Sequence, residues 1–156
     1  MSNPQVDRWR QDGKFYLWRY PNQSRNYPGW NCTADVAGCQ SVVELVNVML
    51  SSDWSSKQEI RLTRPTDSIA ALPGLSGTWL TAERLQLCFP GGKVSGNHWA
   101  CDAGLNIVTL TLGRGKLEQL RDALTCVAKF EGDFCIHADD QEPHGVDLSR
   151  MAIWFW

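Results

Sequence analysis

Leu117, Leu120, Leu124 and Val127 fall at i, i+3, i+7 and i+10, and no other pattern in the chain limits its fold so strongly. Apolar residues at that spacing line one side of an α-helix. The segment from about Arg114 to Phe130 must therefore lie against something else. Glu131-Gly132 supplies its stop. A second stripe of Cys39, Val42, Val43, Val46, Met49 and Leu50 sets another helix from about Asp35 to Ser51.

Elsewhere the period is two, the mark of half-buried strands. Lys14–Tyr20, Lys57–Thr63, Leu85–Phe89, Asn97–Cys101, Asn106–Leu112, Asp133–His137 and Leu148–Trp156 read this way. Pro21–Gly29, Arg64–Gly77 and Ala138–Asp147 carry loop and turn chemistry, and Trp30, Trp54 and Trp79 fall in connections. Parallel neighbours need a crossover of a dozen or more residues, so strands this short and closely spaced imply antiparallel pairing. The expected fold is α+β: a single domain over residues 1–156, a mainly antiparallel sheet of about six or seven strands, and two α-helices packed on one face. Residues 1–12 are expected as a loosely ordered N-terminal segment. No internal repeat is visible.

Of the 156 residues, 43% are hydrophobic and 21% charged, which excludes a disordered or collagen-like chain. A net charge of −2 gives no whole-molecule case for binding nucleic acid. The start, Met1-Ser2-Asn3-Pro4-Gln5-Val6-Asp7, lacks the basic and apolar runs of a signal peptide, and no apolar stretch approaches a membrane span. The expected location is the cytoplasm, away from membranes. Six cysteines without a Cys-x-x-Cys pair read as reduced, buried small hydrophobes.

Catalytic signatures are weak. Cys135 and His137 alternate onto one strand face, but a thiol nucleophile needs its base and orienting group assembled in space, which adjacency does not establish. Pro90-Gly91-Gly92-Lys93 lacks phosphate-loop order and precedes strand rather than helix. His137, Asp139 and His144 are a candidate ligand set for a divalent cation, the basis for an alternative reading as a small-molecule binder or metal-assisted hydrolase with its site at His137–His144. Against it, the segment matches no established ligand signature, and Pro143 and Gly145 make it a turn. No cofactor is expected.

The eight tryptophans are too many and too bulky for one small core. Tyr20, Arg25, Tyr27 and Trp30 place hot-spot residue types along one loop. From Glu131 to Asp147 there are six carboxylates and no lysine or arginine, whereas Arg8 to Arg25 holds five cations against Asp12. Asp139, Asp140 and Glu142 would steer a basic partner toward the aromatic loop. In general character alone the chain resembles the immunity proteins that neutralise bacterial toxins. That resemblance implies a non-enzymatic domain that masks or inhibits a partner protein, a toxin or effector with a basic surface.

Overall fold

A computed structural model of the chain describes residues 2–20, 29–70, 80–132, 134–138 and 152–156. Its elements run α1 (Pro4–Arg8), β1 (Phe15–Arg19), β2 (Trp30–Ala34), α2 (Val36–Leu50), β3 (Ser56–Arg61), α3 (Asp67–Ala70), β4 (Leu80–Thr81), β5 (Arg84–Phe89), β6 (Trp99–Ala103), β7 (Ile107–Leu112), α4 (Arg114–Ala128), β8 (Phe134–His137) and β9 (Ala152–Phe155). The fold is α+β. Both long helices and most strands match the sequence periodicity. The single antiparallel sheet does not, because the strands form two mixed sheets, β4-β1-β2-β9-β8 and β3-β5-β7-β6. In each sheet one central pair is parallel, β2 with β9 and β5 with β7.

The two sheets are built by one path traced twice. An antiparallel hairpin (β1–β2, then β6–β7) leads into a 15-residue helix. The next antiparallel pair (β3–β5, then β8–β9) joins the other half's sheet, its second strand parallel to that half's hairpin. The halves therefore exchange hairpins. The helices start at residues 36 and 114, 78 apart. At that offset buried Cys39, Val42, Leu45, Val46 and Met49 match buried Leu117, Leu120, Ala123, Leu124 and Val127. Only this burial pattern is shared, which is why no repeat shows in the residue types.

Both helices start by satisfying the amide three residues past the cap, one of the orphan donors of a helix N-terminus. In α2 the Asp35 carboxylate accepts from Gly38 N at 2.7 Å. In α4 the cap is Gly113, without a side-chain oxygen, and the main-chain carbonyl of Gly96 accepts from Lys116 N at 3.1 Å instead. The helices run antiparallel: Arg114, at the start of α4, donates to Leu50 O (2.9 Å) and Ser52 O (3.2 Å) at the end of α2. Inward-facing residues of both sheets, including Leu17, Cys32, Ile60, Leu85, Leu110, Ile153 and Phe155, share one core with the helices.

The N-terminal segment is docked rather than loosely ordered. Val6, Trp9 and Asn3 are buried, Trp9 Nε1 donates to Ser41 O at 2.8 Å, and Asn3 Nδ2 donates to Val48 O at 3.0 Å. Among the described residues no helix is long and apolar enough to cross a membrane.

Candidate partner-binding site

The helix pair buries its inner stripes and leaves an apolar groove outside. Val36, Cys39, Val43 and Val48 of α2 and Leu124 and Ala128 of α4 line it, and it encloses about 590 Å³. Val43, read in sequence as part of the inner stripe, is only half-buried and belongs to this groove. Glu44 and Lys129 stand in its wall. Gln5, Gln40, Asn47, Ser51 and Thr125 supply the remaining polarity.

At the end of α4 the backbone closes in a Schellman motif: Glu131 N donates to Cys126 O (3.0 Å) and Phe130 N to Val127 O (2.9 Å). The residue that must turn left-handed is Phe130, at φ 61°. Glycine is the usual occupant, because a Cβ there costs roughly 1–2 kcal/mol. The side chain returns nothing to the fold, since Phe130 is 91% exposed. Strain retained without a packing return is characteristic of functional positions. Phe130 directly follows Ala128 and Lys129 of the groove wall, so an exposed aromatic ring adjoins the α4 side of a cleft that runs along α2. Sequence reading missed this because Gly132 stands two residues past the position that needs it.

The anticipated aromatic anchors lie elsewhere. Trp30 is not in a loop: it is the first residue of β2, 3% exposed, in the main core, with the Arg19 guanidinium 5.5 Å over its ring. Tyr20 is buried with Trp18 on the outer face of the five-stranded sheet, beside Tyr16, Ile69 and Trp156. As surface anchors both are corrected, because an inward β2 residue and a covered sheet face present no ring to a partner. Trp54 is 48% exposed. Arg25, Tyr27, Asp139, Asp140, Glu142 and His144 lie outside the described residues. His137 is exposed on β8 with Nδ1 3.0 Å from Ala138 O, and Lys116 Nζ donates to its carbonyl at 2.6 Å. Among the described residues no three His, Cys, Asp or Glu side chains group to hold a metal.

All six cysteines are free thiols. Burial pushes Cys39 and Cys135 up to about 11, with the Asp35 carboxylate adding to the effect at Cys39, and it raises Cys32 and Cys88 as well. Burial thus favours the neutral thiol of Cys135 over the thiolate that nucleophilic chemistry beside His137 would need. Two expected results follow. At pH 8 only about one in a thousand Cys39 or Cys135 side chains is ionised, so native-state alkylation leaves both largely unmodified while all six react after denaturation, as intact mass will record. The unfolded thiols ionise near 9.0 and the folded ones near 11, so stability is full below pH 9 and falls as pH climbs toward 11, as urea titrations across that range will show.

No family model, curated protein or solved structure matches this chain, so its surface chemistry is the ground for a functional reading.

Proposed function

We propose that this chain is a non-enzymatic protein-binding domain that masks a partner protein, in the manner of an immunity protein neutralising a bacterial toxin, and that it does so through the outer face of the helix pair. The supporting observation is Phe130, nine-tenths exposed in a strained left-handed cap beside an apolar groove. A rigid aromatic ring with a cleft beside it is the anatomy of an interface centre: the ring enters a partner pocket and the cleft receives a partner's apolar side chain.

The surrounding charge specifies the partner's sign. The exposed side of the pair and the turn after it carry the carboxylates of Glu44, Glu118, Asp122 and Glu131 against the cations of Arg114, Arg121 and Lys129, with Arg114 paired to Asp53 at 2.8 Å. Arg121 is already engaged by Asp122 at 3.2 Å. A partner with basic residues around an apolar centre fits this rim.

Phe130→Gly separates this reading from a purely structural one. Glycine removes the left-handed penalty, so the variant should be more stable by about 1 kcal/mol in urea denaturation. Loss of the anchor should weaken the partner complex by about 2 kcal/mol or more, chiefly through faster dissociation. The partner to test is a toxin encoded beside this chain, with growth rescue and surface plasmon resonance as readouts. A variant that is stabilised but fails to rescue places the interface at Phe130. A variant that rescues and binds like the parent removes the helix-pair face from the function.

A further inference from the structure

A second depression lies where the N-terminal segment crosses the edge of the four-stranded sheet. It encloses about 320 Å³ and is lined by Trp9, Arg10, Gln11, Gln58, Glu59, Arg61 and Arg84. Three guanidinium groups thus face one carboxylate, in a chain whose net charge is −2. We propose that this depression is a binding site for a compact phosphoryl anion.

The fold alone gives no reason for the arrangement. Arg61 and Arg84 are direct cross-strand neighbours on β3 and β5, a placement that like charges disfavour. Glu59 relieves only one of them: Arg84 Nη1 reaches its two carboxylate oxygens at 3.3 and 3.2 Å. Among the described residues the Arg61 guanidinium has no acceptor, its hydrogen bonds being those of its main chain. The other half of the fold has His137 and Ala152 at the matching register positions, so the architecture does not require paired arginines there.

Part of the lining is fixed before any anion arrives. Arg10 Nη1 donates to Asp7 O at 2.9 Å and Trp9 O at 2.8 Å, which leaves the far edge of its fork free. Gln11 grips the main chain of Arg61 from both sides, accepting from its N–H at 2.7 Å and donating to its carbonyl at 3.0 Å. Gln58 Nε2 anchors the crossing segment through Val6 O at 2.8 Å. Guanidinium forks match phosphoryl oxygens in geometry and charge, and the ordering of Arg10 and Arg84 in advance removes part of the entropy cost of binding. Trp9, the one aromatic ring in the lining, is 7% exposed with its indole N–H already used, so nothing there stacks a base. The site therefore selects the phosphoryl group itself, supplied as a free anion or as the phosphate end of a nucleotide.

The test is an NMR titration of the ¹⁵N-labelled chain with pyrophosphate at constant ionic strength, following the arginine Nε–Hε signals, with chloride as control and ADP as a parallel arm. Saturable shifts of Arg10, Arg61 and Arg84, accompanied by a rise in melting temperature, are expected. Arg61→Gln should weaken pyrophosphate binding by about tenfold, while the free variant melts at or above the parent because a like-charge contact is relieved. Tighter binding of ADP than of pyrophosphate would assign the anion to a nucleotide, and equal binding to a free phosphoryl ion. Shifts that grow linearly without saturating, or equal affinity in parent and Arg61→Gln, overturn the proposal. Neither result bears on the helix-pair face.

Discussion

Trp30→Ala should cost about 3–5 kcal/mol of folding stability, measured as a fall in the urea midpoint at unchanged slope. The ring is 3% exposed and sits at the start of β2, level with Ile153 on β9, where the parallel pair joins the two halves of the chain. Alternation along β2 turns Trp30 and Cys32 into the core and leaves Asn31 and Thr33 on the opposite face. Removing the indole opens a large void beside residues held by both halves, and it takes away the surface on which Arg19 stacks. Domains of this size are stable by roughly 5–15 kcal/mol, so the loss is a large share of the total. A variant that unfolds like the parent would show that Trp30 is a surface residue after all, and would return it to the list of partner anchors.

The same residue shows where the sequence was readable. Periodicity found both long helices to within a few residues, because a stripe such as Leu117, Leu120, Leu124 and Val127 is a local signal that tertiary contacts only reinforce. β2 escaped because Trp30–Ala34 is squeezed between Gly29 and the Asp35 cap, and five residues of mixed polarity carry little alternation of their own. The sheet topology escaped for a different reason. Spacing correctly excludes parallel pairing between neighbours such as β6 and β7, but β5 and β7 are parallel with β6 as the crossover between them. That choice is made by partners far along the chain, as is the pairing of β2 with β9. Of the candidate site, sequence supplied the stripes whose reverse side forms the groove. Phe130 carries its message only through a φ angle that residue type argues against. The Arg61–Arg84 pair required the register of β3 on β5, although the basic excess near the N-terminus was visible.

Gly38→Ala is the second large effect, and its sign opposes intuition. Alanine is favoured over glycine inside a helix by about 1 kcal/mol, and Gly38 lies in the first turn of α2, so propensity alone forecasts a gain. The surroundings reverse it. A Cβ at Gly38 would overlap the carbonyl oxygen of Lys14 and come within 2.9 Å of its carbonyl carbon, and both are main-chain atoms. Lys14 cannot retreat freely. Its N–H donates to Asp35 Oδ1 at 2.9 Å and its carbonyl accepts from Asp35 N at 3.2 Å, so displacing it pulls on the residue that caps the helix. Gly13, at φ 69°, brings the chain into this close crossing and is itself packed against Ala37 and Gly38. Overpacking against backbone with a cap at stake should cost about 3 kcal/mol net. Gly96→Ala is the control: it enters the matching crossing in the other half, where a Cβ meets Gly115 N at an ordinary 3.5 Å, and stability should change by about 0.5 kcal/mol or less. Urea denaturation of both variants decides the matter. Equal stabilities for Gly38→Ala and the parent would mean that the Gly13–Lys14 segment leading into β1 does not cross the start of α2 so closely.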